Sequence, residues 1–212
     1  VEKHDPFRKK MLPEVSAMFE TLAPYAGTGL RYVFGNLWLF KGLLTELMPK
    51  ISAQGAAMLK TTIAFTMQTG SDAVNVMPQE ATVSANMRFI PHQGMDESLA
   101  IIRKRAEKYG LSMEIFHAND YSAPIDIKGE AFRTVCDVID KTFPGVAGSP
   151  YVMTGATDAR CYQEICSNVV RFAPVVYGPE QMKGMHGLNE NIGYDCLPGC
   201  VDFYKNLIEA DK

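Results

Sequence analysis

The sequence predicts a chain of the mixed class α+β/α-β, in two parts. The first part is a short sheet with helices, and the second is a series of alternating helices and strands. Two patterns support this prediction. Apolar and polar side chains alternate over residues 81–90, as in a strand with one buried face, and apolar side chains recur with a helical period over residues 95–109. Beyond Pro124 the runs shorten, and helical and strand-like segments alternate. We therefore expect two differently layered parts.

In the first part the expected order is helix, strand, strand, helix, strand. Pro13 has the position of a proline at a helix start, and Gly70 and Pro91 each end a predicted strand. The predicted ranges are a helix from Pro13 to about Pro24, strands over 61–69 and 81–90, a helix over 95–109 closed by Gly110, and a strand over 111–117. This order is that of a ferredoxin-like split βαβ unit lacking its first strand, which we expect upstream of the chain.

In the second part, predicted helices and strands alternate along the chain, as in an α/β fold. The predicted ranges are helices over 130–143, 157–164 and 194–208, with strands over 151–153 and 169–172. A polar, glycine-rich loop precedes the last helix.

Composition limits the possible partners. The chain has 212 residues, of which 47% are hydrophobic and 21% charged, as in a packed domain, and its net charge is −3. That charge gives no general attraction for nucleic acid or membranes, and the basic clusters at 8–10 and 103–105 are interpreted as solvated helix faces.

The apolar stretch from Leu30 to Leu47 is interrupted by charged and polar residues. We interpret it as a buried helical hairpin or an interface segment, not as a membrane span.

Cysteines and aromatic residues have structural interpretations. The five cysteines form no CxxC pair and are odd in number, which predicts reduced, mostly buried thiols and favours a cytoplasmic location. The chain begins with Val1 rather than methionine, so targeting is left undetermined. The stripe of Tyr32, Phe34, Trp38 and Phe40 is expected in a core or a subunit interface.

His186 is the best candidate for a metal ligand. A hydrolytic metal site needs several converging ligands and a carboxylate base, whereas the four histidines of this chain show no HxxxH or HxD spacing. A complete site is therefore not encoded. His186 lies in the polar loop 183–191, where Asn189 and Glu190 could orient its ring or begin the next helix.

Two further segments each allow two interpretations. Arg160 follows a predicted strand and turn at the start of a helix, so it is either a surface residue beside an N-cap at Thr157 or Asp158, or a guanidinium that binds a substrate carboxylate. Asn75 lies in a predicted turn. Its amide either bonds the local backbone or donates to a developing oxyanion.

Taken together, these segments resemble a known family. The segments are residues 14–25, 36–40, 75–81, 157–160 and 186–190, in that order. They resemble the C-terminal half of the carboxypeptidase S group of dizinc metallopeptidases, together with acetylornithine deacetylase and succinyl-diaminopimelate desuccinylase. The resemblance covers nearly the whole chain.

The resemblance implies a role for each part. Residues 1–118 would form a lid and dimerisation domain, and residues 119–212 the last segment of the catalytic domain. His186 looks like the last zinc ligand, Arg160 like the clamp on the substrate carboxylate, and Asn75 and Gly155 like residues near the substrate. The remaining ligands of two zinc ions and the general base would lie upstream, so this piece alone is expected to be inactive.

The implied parent enzyme is a zinc-dependent amidohydrolase or carboxypeptidase that cleaves small peptides or N-acyl amino acids. Its partners would be its own N-terminal half and a second copy, through the lid, with no nucleic acid or membrane. Two positions depart from the family pattern, because Gly155-Ala156 stands where Gly-Gly is usual and Cys161 where a histidine is common.

Two other functions remain open. The chain could be a non-catalytic dimerisation module whose sheets pair edge to edge. A cysteine enzyme using Cys161 is less favoured, because no histidine is near it in sequence.

Overall fold

The computed structural model describes residues 1, 4–155 and 157–210. Within this part the chain forms two compact units. The first unit comprises residues 1–123 and 152–155, and the second comprises residues 124–151 and 157–210. Each unit has its own hydrophobic core.

The first unit begins with four helices. They are α1 (Pro13–Leu22), which continues into a 3₁₀ turn at Ala23–Tyr25, α2 (Thr28–Gly35), α3 (Leu37–Ile51) and α4 (Ala53–Leu59). Pro13 occupies the first turn of α1, where its missing N–H costs no hydrogen bond, so the first predicted helix is confirmed.

Helices α2 and α3 contain the apolar stretch 30–47. The prediction that it is helical is confirmed. The alternative of a buried hairpin is wrong, because within α2 and α3 only Leu37 is buried, and the alternative of an interface segment stays a prediction. Trp38 is 83% exposed, whereas Phe34 stacks on Phe19 with ring centroids 4.7 Å apart. The aromatic stripe therefore divides between the core and the surface.

The sheet of the first unit is an antiparallel pair, β1 (Thr62–Thr69) and β2 (Thr82–Arg88). Phe65 pairs with Ala85 and Met67 with Ser84, so Thr66 is an extra residue in β1, a β-bulge. Both predicted strands are confirmed. The predicted half-buried face is wrong, because Val83 is 57% exposed.

The third predicted strand, residues 111–117, is wrong, because this segment is irregular. A two-stranded sheet does not make a ferredoxin-like unit, so that description is not confirmed for the described residues. A strand requires a partner for its backbone N–H and C=O groups, and alternation of side chains does not supply one.

Helix α5 (Met95–Lys108) confirms the next prediction, and both of its ends have polar partners. The Met95 N–H donates to the Asp120 carboxylate at 2.9 Å, which places a negative charge at the positive end of the helix. At the other end Gly110 has a φ of +69°, and the Leu111 N–H donates to the Ala106 carbonyl at 3.0 Å. This Schellman arrangement requires the left-handed conformation that glycine adopts without strain.

Gln93 joins three segments of the first unit. Its side chain, 1% exposed, accepts from the Arg8 N–H at 2.8 Å and donates to Glu97 at 3.2 Å. Its carbonyl accepts from the hydroxyls of Thr61 and Ser98 at 2.8 and 3.1 Å. Hydrogen bonds of this one buried residue therefore join the N-terminal segment, the start of β1 and the first turn of α5.

The core of the first unit lies between its helices and the segment before α5. Its buried members are Met11, Leu12, Val15, Met18, Phe19, Leu37, Met58, Leu59 and Ile90. At about 25 cal/mol per Å² of apolar surface, this burial is the main stabilising contribution to the unit.

The second unit is mainly helical, with irregular segments between the helices. Its elements are α6 (Glu130–Thr142), α7 (Ala159–Tyr162), α8 (Pro179–Gly184), a 3₁₀ turn at Tyr194–Cys196 and α9 (Leu197–Ala210). Its buried core is Val138, Ile139 and Phe203, where α6 packs on α9.

The predictions for the second unit are partly confirmed. The first and last predicted helices are present, and the middle one is shortened to the four residues of α7. The strands predicted over 151–153 and 169–172 are wrong, since both segments are irregular in the structure. The α/β alternation is therefore reduced to helices and loops in the described residues.

The buried contact at Gln93 yields a stability prediction. Gln93→Ala is expected to lower the free energy of unfolding by about 2 kcal/mol, because it removes a buried side chain and two hydrogen bonds. Chemical denaturation of the two proteins measures the difference. The matched control is Gln79→Ala, at an exposed loop position, which should change the free energy little. Equal effects of the two substitutions would contradict this account of the first unit.

Candidate functional site

His186 lies in the loop between α8 and the 3₁₀ turn, as predicted. Its side chain is exposed, and within the described chain its imidazole makes no hydrogen bond. The backbone of His186 has a φ of 58°, in the left-handed region that non-glycine residues seldom adopt. Within the described residues, no hydrogen bond of the ring therefore competes with a ligand for its acceptor nitrogen.

Glu190 contacts the backbone of His186, not its ring. Its carboxylate accepts from the His186 N–H at 3.3 Å. Asn189 has a φ of 60°, and its carbonyl accepts from the Asn191 side chain at 2.7 Å. The prediction that these residues orient the ring has no described contact to support it; instead they shape the loop backbone on either side of the turn.

Arg160 is the second residue of α7, and its guanidinium is exposed. Across the described residues it forms no side-chain hydrogen bond or ion pair. The predicted cap is not formed, because Asp158 occupies the N-cap position without a side-chain bond and the Thr157 hydroxyl has another partner. The guanidinium is thus available to bind an anion.

Arg171 is a residue that the sequence analysis passed over. Its Nε donates to the Thr157 hydroxyl at 3.2 Å, and an Nη lies 3.5 Å from the Gln163 side-chain oxygen. These contacts bracket α7 and therefore the position of Arg160. A charged residue inside the apolar run 169–172 was the available signal, since such a charge needs a partner.

Asn75 lies in an exposed turn between β1 and β2. The turn is closed by the Val76 N–H, which donates to the Ala73 carbonyl at 3.2 Å, so the predicted turn is confirmed. The predicted local bond of the Asn75 amide is absent among the described contacts; the Ser71 hydroxyl bonds the turn backbone instead, accepting from the Ala73 N–H at 3.2 Å.

Gly155 is exposed, and a Cβ added to it would meet only Arg88 Nη1, at 4.0 Å. The same guanidinium donates to the neighbouring Thr154 carbonyl at 2.5 Å. Ala156, the second residue of this turn, lies outside the described residues.

The candidate residues are distributed over both units. Asn75 and Gly155 belong to the first unit, and Arg160 and His186 to the second. No described hydrogen bond connects Arg160 with His186, and no cluster of three metal-ligating side chains occurs within the described ranges. This arrangement can contribute one metal ligand and one carboxylate-binding group.

Two of the other histidines have structural partners. His92 Nε2 lies 3.0 Å from the Arg8 carbonyl oxygen, and His117 Nε2 accepts from the Asn119 amide at 2.7 Å. The five cysteines are free thiols, as predicted. The prediction that they are mostly buried is wrong, because Cys161 and Cys166 are exposed and the other three are half-buried.

Burial raises the pKa of two thiols. The pKa of Cys136 is raised by desolvation and by the nearby Asp137 carboxylate. The pKa of Cys200 is raised by desolvation and by the adjacent Cys196 thiol. Both environments favour the thiol over the thiolate, which is the attacking form in disulfide exchange.

The second unit therefore carries an exposed histidine and a guanidinium that has no partner among the described residues. Comparison with known proteins relates the chain to a class of hydrolases. Residues 27–114 match the peptidase dimerisation domain of the M20 family. The resemblance inferred from the sequence is thereby confirmed, and the chain is related to the M20 peptidases.

Three relatives illustrate the range of named proteins to which the chain is similar. The chain is 29% identical over 196 residues to an N-fatty-acyl-amino acid synthase/hydrolase of Xenopus tropicalis, covering 91% of this chain and 38% of the relative. It is 25% identical over 199 residues to a probable carboxypeptidase S-like protein of Dictyostelium discoideum, covering 93% and 38%. With the succinyl-diaminopimelate desuccinylase of Bordetella avium it shares 27% identity over 150 residues, covering 68% and 36%.

The chain therefore spans about 38% of the length of the first curated relatives it matches. No solved structure matches it. In the described part of the chain, no helix combines the length and apolar character that crossing a bilayer requires.

The left-handed backbone in the His186 loop can be tested at Asn189. Asn189→Val is expected to destabilise the loop by about 1–2 kcal/mol, because a β-branched side chain clashes in this conformation, whereas Asn189→Gly should not. Amide hydrogen exchange over residues 184–191 measures the change. If valine and glycine gave the same exchange rates, the assigned conformation would be wrong.

Proposed function

We propose that this chain supplies the lid and dimerisation domain and the last catalytic segment of a zinc-dependent amidohydrolase. The bond cleaved is an amide in a small peptide or an N-acyl amino acid with a free carboxylate. The observation that carries the proposal is the exposed guanidinium of Arg160, which has no partner among the described residues. The chain is related along nine-tenths of its length to an N-fatty-acyl-amino acid synthase/hydrolase and to a probable carboxypeptidase S-like protein.

The substrate class follows from Arg160. A guanidinium binds a carboxylate through two parallel hydrogen bonds, and an exposed one with no internal partner does not have to break an existing ion pair first. Arg171 contacts the residues on both sides of α7 and so supports the backbone that carries Arg160. A substrate with a free carboxylate would be oriented by this contact, with its scissile amide held at a fixed distance.

His186 is the residue of this chain that would hold zinc. Among the described residues its imidazole has no competing hydrogen bond, and its loop is shaped by the bond from the backbone N–H to Glu190, so the ring can coordinate through a nitrogen. When bound, zinc supplies a Lewis acid and lowers the pKa of a water molecule. His186 alone cannot complete a site, so the further ligands and the general base would come from outside this chain, which alone would be inactive.

Asn75, Gly155 and the lid assignment belong to the same proposal. The exposed Asn75 amide, free of local bonds among the described residues, could donate to the oxyanion of the substrate carbonyl. Gly155 would leave the backbone next to the substrate unobstructed.

A non-catalytic dimerisation module is the second candidate. The match to the peptidase dimerisation domain, residues 27–114, favours it directly, since that domain alone accounts for pairing of two copies. The two functions differ in zinc binding and in the effect of Arg160 on catalysis.

The role of His186 predicts the zinc content. Protein purified from its natural source under native conditions is expected to carry up to two zinc ions per complex, together with a heavier polypeptide or segment detected by intact mass. Elemental analysis should show a loss of zinc in His186→Ala and none in His92→Ala, whose ring has a structural partner. Native material without zinc would leave the dimerisation module as the function.

The role of Arg160 predicts substrate selectivity. In the complete enzyme, Arg160→Ala should lower kcat/KM for an N-acyl amino acid by about 10–100-fold, the effect of losing a charged hydrogen-bonded contact. The corresponding substrate with a carboxamide in place of the carboxylate should be hardly affected. Arg133→Ala, at an exposed position of α6, is the control. A loss that is equal for both substrates would remove the proposed role of Arg160.

The exposed face of α3 predicts self-association. Trp38, Leu39, Leu43 and Ile51 are each more than half exposed on this helix, and exposed large apolar side chains of this kind are typical of interaction surfaces. Since α3 lies inside residues 27–114, we expect a homodimer through this domain. Sedimentation should show a dimer that Leu43→Asp converts to a monomer, while Phe116→Asp, at another exposed apolar position, does not. A dimer that survives Leu43→Asp would place the interface elsewhere.

A further inference from the structure

Two thiols donate hydrogen bonds to backbone carbonyls at the two ends of residues 174–193, the segment that carries His186. The Cys200 Sγ donates to the Pro174 carbonyl oxygen at 2.8 Å, where the segment begins. The Cys196 Sγ donates to the Gly193 carbonyl oxygen at 2.9 Å, where it ends. The bond from Cys200 therefore holds the Pro174 end to α9 across 26 residues. The bond from Cys196 lies within the 3₁₀ turn, where the Gly193 carbonyl also accepts from the Cys196 N–H at 3.3 Å.

These two thiols are also neighbours. Cys196 is the last residue of the 3₁₀ turn, and Cys200 follows four residues later in the first turn of α9. The two thiols are close enough that Cys196 raises the pKa of Cys200, after the larger effect of desolvation. Both are half-buried, so a small disulfide reagent can reach them.

The backbone between the thiols can adapt to a bridge. Cβ atoms four residues apart on a helix are about 5–6 Å from each other, and a disulfide needs about 3.5–4.5 Å, so the first turn must shift. That turn contains Pro198 and Gly199. Proline has no N–H to lose, glycine has a wide range of backbone conformations, and the first N–H groups of a helix lack internal partners.

We propose that Cys196 and Cys200 form a reversible dithiol–disulfide switch, whose oxidation releases the Pro174 end of residues 174–193 from the start of α9. A disulfide has no S–H, so both bonds to the bounding carbonyls are lost together. The switch itself is independent of the proposed hydrolase function; only its consequence for catalysis, the release of the His186 loop, depends on that function.

The chemistry is a thiol–disulfide exchange with a small disulfide such as glutathione disulfide. One cysteine thiolate attacks a glutathione sulfur, and a glutathione thiolate leaves from the mixed disulfide formed. The second cysteine thiolate then attacks the protein sulfur of that mixed disulfide and displaces the second glutathione. In balance, two protein thiols and one glutathione disulfide give one protein disulfide and two glutathione thiols.

Peptide mapping tests the bridge. After the reduced chain is treated with glutathione disulfide and quenched in acid, trypsin should release residues 184–205 with both cysteines in one peptide, lighter by two hydrogens. Residues 161–171 form a matched control, because this peptide carries Cys161 and Cys166, both exposed and five residues apart. The control should remain reduced or carry glutathione as a mixed disulfide. An absent bridge in 184–205, or equal bridging in both peptides, would overturn the proposal.

Hydrogen exchange tests the release. Amides of residues 174–193 should exchange about 5-fold faster in the oxidised chain than in the reduced one, as expected for the loss of the one modest hydrogen bond that joins Pro174 to α9. The double variant Cys196→Ala and Cys200→Ala should exchange fast with or without the reagent. Cys196→Ser with Cys200→Ser keeps two hydroxyl donors and should stay slow in both conditions, which controls for disturbed folding. Unchanged exchange on oxidation would overturn the switch even if the bridge forms.

Discussion

The buried hydrogen bonds of Gln93 are the contact on which the first unit depends. A single residue satisfies a backbone N–H of the N-terminal segment, two hydroxyls and a carboxylate, so segments distant in sequence are held in one register. Buried polar groups are costly when unpaired and specific when fully paired. The apolar core beside Gln93 supplies the larger stabilisation, and the polar contact selects the arrangement in which that core forms.

The second unit has a different organisation, and its candidate function follows from this. Its core is small and is centred on Phe203, whose ring lies 4.8 Å from that of Phe172. Long irregular segments extend from this core, and they carry His186 and Arg160 with their side chains exposed. Individual polar contacts hold these segments: Arg171 on α7, and the two thiols on the ends of the His186 loop. Such weakly held segments are where binding and regulation are usually found.

Much of the helical structure could be predicted from local signals. Pro13, Gly110 and the apolar period of residues 95–109 define α1 and α5 closely, because caps and side-chain spacing act within one or two turns. Three of the five predicted strands are irregular, since a strand exists only with a partner. At the candidate site, the exposed loop of His186 and the exposed Arg160 were predictable, whereas the role of Glu190 at the loop backbone and the contacts of Arg171 were not.

The sequence by itself determined the helices α1, α5, α6 and α9, the extended segments β1 and β2 and the relationship to the M20 peptidases, because these depend on residue order over short distances or on ordered motifs. Only the tertiary structure decided which side chains are buried, that Trp38 faces solvent, and that the thiols of Cys196 and Cys200 hold the ends of one loop. The physical reason is the range of the interactions. A helix closes its hydrogen bonds within four residues, whereas burial, strand pairing and loop tethers join groups whose separation in space the local sequence does not specify.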